Sequence, residues 1–143
     1  MITKRVKSFF DKAEKAAYIG DYYPYRLGCV AVYNKQHILS VGYNSNKTHP
    51  IQSAYNKFRN FNNQNHYCPD KVHAEIHCLS LLKEYVDLDY SRISLYIVRI
   101  TRDGTKGIAR PCIACMNYIK KLGIRKIYYT TEYGYAEENI EKD

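Results

Sequence analysis

Tryptophan is absent from the 143 residues, and only 4 prolines and 7 glycines punctuate the chain. That scarcity argues against low-complexity and collagen-like architectures. No window holds the roughly 18 apolar residues in a row that a membrane-spanning helix needs. The opening segment M-I-T-K-R-V-K-S-F-F carries charge but no apolar run suited to a signal peptide, so we expect no membrane association and a cytoplasmic location. Acidic residues are in the minority: 22 Lys and Arg against 14 Asp and Glu leave a net charge of +8. A basic surplus of this size suits an anionic partner such as a nucleotide or nucleic acid, and equally a lysine-rich solvated surface. Cysteine is present in an odd number, 5, with two in the spacing Cys112-Ile113-Ala114-Cys115. Without an export signal, such a pair reads as metal binding or redox chemistry rather than a disulfide framework.

The apolar content of 45% and the length fit one globular domain able to bury about two-thirds of its unfolded surface. Residues 4–19 place Val6, Phe9, Phe10, Ala13, Ala16 and Ala17 at helical spacing, ending near Gly20. Two strands follow at 27–33 and 37–43, and Asn34-Lys35-Gln36 is short enough to make them a hairpin. Residues 45–70 read as an insertion, with an inner helix at 51–61 and a loop-rich second half. A helix is expected over 71–85, capped by Asp70, with Ile76, Leu79, Leu82 and Val86 on one face. A strand at 93–100, a helix at 112–122 stopped by Gly123, and a strand at 124–131 complete the pattern. The polar tail from Tyr133 to Ile140 is expected to supply no more than a stub of strand. There is no internal repeat. A hairpin followed by strand–helix–strand units predicts an α/β fold with a mixed sheet of four to five strands and helices on both faces.

The chemistry concentrates in V-H-A-E-I-H-C, residues 72–78, and in R-P-C-I-A-C, residues 110–115. A zinc protease helix needs glutamate directly after its first histidine, a spacing that Glu75 breaks. A thioredoxin-like redox pair belongs after an early strand, whereas Cys112 and Cys115 lie late in the chain. A structural zinc site would take His73, His77, Cys112 and Cys115, since histidines four apart share a helix face. That arrangement gives Glu75 no task. The remaining possibility uses His73, Cys112 and Cys115 as ligands and leaves Glu75 beside the metal as a proton carrier. H-x-E followed by P-C-x-x-C is the signature of zinc-dependent nucleobase deaminases. His73-Ala74-Glu75 and Pro111-Cys112-Ile113-Ala114-Cys115 supply its specified residues in order.

Over roughly Leu27 to Thr131 the chain therefore resembles the cytidine/deoxycytidylate deaminase superfamily, and it looks most like the deoxycytidylate and tRNA-adenosine deaminase branch. The resemblance implies a three-layer α/β/α sandwich whose late strands run parallel with a helix between them. It implies a Zn2+ cofactor on His73, Cys112 and Cys115, with Glu75 as the catalytic acid and base. Gly42-Tyr43-Asn44 looks like the G-x-N that meets the sugar there, so Asn44 is the implied substrate contact, together with Ala74 and Pro111, and with Asn46 its rival. Arg110 is a candidate for the pocket mouth, and the loop Lys47-Thr48-His49-Pro50 for a phosphate or a base. His66 and Cys68 fall where some relatives carry a second, structural zinc. Cys78 is expected to be a buried thiol and His77 a bystander. The implied reaction is hydrolytic loss of ammonia from a small cytosine nucleotide or nucleoside, in a homo-oligomer. Two other functions stand behind it: editing of a base within RNA or single-stranded DNA, which the same motif would serve but which lacks an aromatic-and-arginine tract here, and a non-catalytic zinc-stabilised nucleic-acid-binding module, which leaves Glu75 and Pro111 without a task.

Overall fold

The computed structural model describes residues 2–20, 25–58 and 71–141. Helix α1 spans Lys4–Ala17, and its N-terminus is capped by Thr3, whose hydroxyl accepts a 3.1 Å bond from the Val6 amide. Strands β1 (Arg26–Tyr33) and β2 (His37–Tyr43) form the expected hairpin. Its three-residue loop holds Asn34 and Lys35 at φ of 53° and 61° and is closed by the Gln36 amide donating to the Tyr33 carbonyl at 3.0 Å. Helix α2 (Pro50–Tyr55) runs into a short 3-10 turn at Asn56–Phe58. Helix α3 spans Ala74–Ser80, strand β3 Ile93–Ile100, and the two-residue strand β4 Lys106–Gly107. Helix α4 (Ile113–Leu122), strand β5 (Lys126–Thr131) and strand β6 (Gly134–Asn139) close the chain.

The sheet is mixed, in the order β2-β1-β3-β5-β6 with β4 alongside β3. β1 is antiparallel to both of its neighbours, and β3 runs parallel to β5, the two being joined through α4. The last pair, β5 and β6, is antiparallel. The period of two along a strand explains the layers. On β1, Cys29 and Ala31 face a core under α3 and α4, whereas Val30 and Val32 face Phe9, Phe10, Ala13 and Ala17 of α1. On β3, Leu95 and Ile97 take the first face, and Tyr96 and Val98 the second. The result is the three-layer α/β/α sandwich. Two glycines admit the helices. A Cβ on Gly28 would lie 1.8 Å from the Ala13 carbonyl oxygen, and one on Gly42 would lie 2.4 Å from the Cys78 amide nitrogen.

Three expectations need correction. The helix predicted over 71–85 is shorter, because His73 is extended (φ −83°, ψ 158°) and serves as the N-cap, and a 3-10 turn replaces the α-helix from Leu81. Val86 therefore leaves the apolar face and is 85% exposed. The tail is no stub: β6 pairs with β5 from Thr131↔Gly134 to Lys126↔Asn139. An edge strand needs no continuous apolar face, so G-Y-A-E-E-N carried little strand signal. The predicted Asp70 cap and the second half of the insertion lie outside the described residues.

Candidate active site

The site is assembled where two helices begin. The chain leaving β2 turns back on itself: the Ser45 amide donates to the Val72 carbonyl at 3.2 Å, and the Val72 amide to the Lys47 carbonyl at 2.9 Å. This sets His73 at the mouth of α3, which Gly42 allows to lie directly on β2. The His73 amide donates to Gln52 Oε1 at 3.0 Å, and Gln52 Nε2 donates to Asn56 Oδ1 at 2.8 Å. Gln52 is fully buried, so the inserted helix α2 acts as a clamp on the first histidine. On the other side, the Ala109 amide donates to the Thr130 carbonyl at 2.9 Å and ties the approach to α4 onto β5. Pro111 is buried, and Cys112 is extended (φ −67°, ψ 169°) as the N-cap of α4. One helical turn brings Cys115 to the same point.

His73, Cys112 and Cys115 thereby converge, with their donor atoms all within 4.8 Å of one another. His73 Nδ1 lies 3.3 Å from Cys115 Sγ and 3.5 Å from Cys112 Sγ. Donors about 2.0–2.3 Å from one tetrahedral zinc ion lie about 3.5 Å apart, so the separations and the soft N/S donor set both fit that metal. A hydrogen bond from Cys115 brings the Cys112 thiol down to about 3; burial opposes this, and a bond from His73 adds to it. A thiol so depressed is a thiolate at neutral pH, the form that binds metal.

Glu75 completes the cluster. It is 3% exposed, and its Oε1 is buried without a hydrogen-bond partner among the described residues. Burial pushes its carboxyl up to about 7 against the pull of the His73 ring, and the Cys112 thiolate adds to the rise. A buried carboxyl near neutrality, with one oxygen left free beside three metal donors, can take up and return a proton.

The other expected residues fall around this centre. His77 is turned away: its Nδ1 accepts from the Tyr43 amide at 3.1 Å, and its ring meets that of Tyr43 edge-on at 4.7 Å. Cys78 is a buried thiol 3.2 Å from the Ser40 hydroxyl. Ala74 is fully buried at the start of α3. Asn44 is 4% exposed, and its amide accepts from the Leu27 amide at 2.9 Å and donates to the Tyr25 carbonyl at 3.3 Å. Its side chain thus joins the end of β2 to the start of β1, while its backbone leads into the turn beside His73. The Asn46 carbonyl accepts from Lys71 Nζ. His49 caps α2 by accepting from the Ile51 amide at 3.1 Å. Arg110 is engaged with Glu138, its Nε and Nη2 donating to the carboxylate at 3.0 and 2.8 Å. His66 and Cys68 lie outside the described residues. Gln52 went unnoticed in the sequence, and no local pattern marks it.

Comparison with known proteins agrees with this geometry. The sequence profile of the cytidine and deoxycytidylate deaminase zinc-binding region matches residues 3–131. No curated protein matches the chain in sequence. Among solved structures, a dCMP deaminase from the cyanophage S-TIM5 is 20% identical with a TM-score of 0.63, over 92% of this chain and 86% of that one. A cytidine deaminase from Burkholderia pseudomallei is 16% identical with a TM-score of 0.65, over 97% and 94%. A cytidine deaminase from Mycobacterium leprae is 15% identical with a TM-score of 0.54, over 92% and 91%. At these identities the likeness is one of fold.

Proposed function

Because the chain belongs to the cytidine and deoxycytidylate deaminase zinc-binding family, we propose that it is a zinc-dependent hydrolase that converts a cytosine nucleotide or nucleoside to its uracil counterpart and ammonia. The observation that carries this is the buried, unpartnered Oε1 of Glu75 beside the donors of His73, Cys112 and Cys115. A purely structural zinc site would need a fourth protein ligand and would have no use for such a carboxylate. His77, the nearest alternative, is engaged with Tyr43.

When bound, zinc lowers the pKa of water toward about 7 and so makes a nucleophile available at neutral pH. His73, Cys112 and Cys115 hold the metal, and the two N-cap conformations aim their donors at one point. Glu75 Oε1 takes one proton from the attacking water and delivers it to the ring nitrogen; it then takes the hydroxyl proton of the carbon adduct as the carbonyl forms and passes it to the amino group, which departs as ammonia. Ala74 and Pro111, the buried residues next to the ligands, form walls against the base. Asn44 sets the rim on which the sugar rests. The chain works as one domain with an insertion at about 45–70, and it assembles as a homo-oligomer in the cytoplasm. None of its described helices is long and apolar enough to cross a membrane.

Glu75→Gln tests the assignment. The variant should bind one zinc per chain as the parent does, while kcat falls by about 10²- to 10⁴-fold, the contribution of a positioned proton carrier. Turnover at the parent's rate would remove Glu75 from the mechanism.

A further inference from the structure

Arg99 stands on the catalytic face of the sheet and has no role in the chemistry above. Ile93, Leu95 and Ile97 form the row of β3 that packs under α3 and α4. Arg99 continues that row by the period of two, about 7 Å further along the strand. Opposite it on β1 lies Leu27, as Cys29 lies opposite Ile97. The guanidinium thus sits at the end of the sheet where Asn44 binds Tyr25 and Leu27, and where the next residue, Ser45, is bonded to Val72 just before His73. Leu27 links Asn44 and Arg99, paired with Arg99 across the strands and bonded through its amide to Asn44.

Arg99 combines an aromatic contact with a buried, unsatisfied donor. Its Cζ stacks 4.9 Å from the centre of the Tyr25 ring. Its Nε is buried without a hydrogen-bond partner, and among the described residues its guanidinium forms no ion pair. Arg92 and Arg110, by contrast, are paired with Asp89 and Glu138. A half-buried cation with a desolvated donor is costly unless an anion meets it. A guanidinium held flat by an aromatic ring presents the planar fork that matches two oxygens of a phosphate.

We infer that Arg99, oriented by Tyr25, binds a phosphate carried by the substrate, so that the site takes a nucleotide in preference to a nucleoside. The inference rests on the deaminase reading for where the base lies. A 5′-monophosphate and an internal phosphodiester offer the same oxygens, and the titrations below separate them.

Zinc-loaded Glu75→Gln protein, which should not consume the ligand, is titrated calorimetrically with deoxycytidine, dCMP and a trinucleotide with a central cytosine. We expect dCMP to bind about 10- to 100-fold more tightly than deoxycytidine, the range for a charge-assisted pair. Adding Arg99→Gln should bring that ratio to about 1 and leave deoxycytidine affinity unchanged. Arg99→Lys, which keeps the charge and the stem but not the fork, should give an intermediate ratio. A gain that depends on Arg99 but appears with the trinucleotide instead of dCMP would keep the phosphate site and assign it to a polynucleotide. Equal or undetectable binding of all three ligands would overturn the inference. So would a ratio that survives Arg99→Gln, or an equal loss for nucleotide and nucleoside, which marks a structural residue. Ammonia release by the unsubstituted protein reports separately: selective binding without turnover would defeat the deaminase reading and leave the phosphate site standing.

Discussion

Removing the acceptor that holds His73 should damage both the fold and the metal site. In Gln52→Leu the side chain keeps similar bulk but loses both polar ends. The 3.0 Å bond from the His73 amide and the 2.8 Å bond to Asn56 Oδ1 disappear together, at a position with no solvent access. Each buried group deprived of its partner costs about 1–3 kcal/mol, so a loss of about 2–4 kcal/mol is expected once partial relaxation is allowed. The second effect is on zinc. His73 is an N-cap whose side chain makes no capping bond, so its extended backbone depends on outside contacts such as that from Gln52. Outer contacts that orient a metal ligand are worth about 10- to 100-fold in metal affinity, and a drop of that size should appear in competition with a chromophoric chelator. Urea denaturation of the zinc-saturated and chelated protein separates the two effects. An unchanged zinc affinity together with a stability loss below about 1 kcal/mol would refute the clamp.

The two histidines of V-H-A-E-I-H-C should behave in opposite ways. His73→Ala should abolish stoichiometric zinc binding, whereas His77→Gln should retain one zinc per chain and cost only the bond from the Tyr43 amide, about 1 kcal/mol. Metal analysis of both purified variants decides between them. The grip of Arg110 on Glu138 holds the Glu138 carboxyl below its ordinary range, so this pair stabilises the fold above the unfolded carboxyl pKa and stops doing so as pH falls through the lower folded value. Glu138→Gln should therefore lower the unfolding midpoint at pH 7 by an amount no larger than about 1 kcal/mol, given the pair's exposure, and the difference should vanish in strong acid. A difference that persists there would show that the charge is not responsible.

The parts of the molecule visible in the sequence are those whose chemistry is local. His73, Glu75, Cys112 and Cys115 each act within a few residues of a helix start, so their spacing survives as a readable motif. The first helix and the hairpin were legible for the same reason, through apolar periodicity and a short polar turn. What escaped depends on contacts distant in sequence. Gln52 reaches His73 across 21 residues, and nothing in P-I-Q-S-A-Y distinguishes it from an ordinary helical glutamine. Arg99 reads as the polar end of an apolar strand until Tyr25 is placed beneath it. Strand β6 owes its existence to the free edge of β5 rather than to its own polar residues. The late start of α3 goes with His73, whose extended backbone makes it the N-cap rather than the first turn of the helix.

Ammonia release is the most direct measurement. Protein carrying one zinc per chain is incubated with cytosine, adenine and guanine nucleosides, nucleotides and short oligonucleotides, with the Glu75→Gln variant in parallel. We predict ammonia from a cytosine substrate, its loss in the variant, and its loss on chelation with recovery when zinc is restored. Fully zinc-loaded protein that releases no ammonia from any of them, or that releases it equally well without Glu75, would contradict the assignment of this site as a deaminase centre.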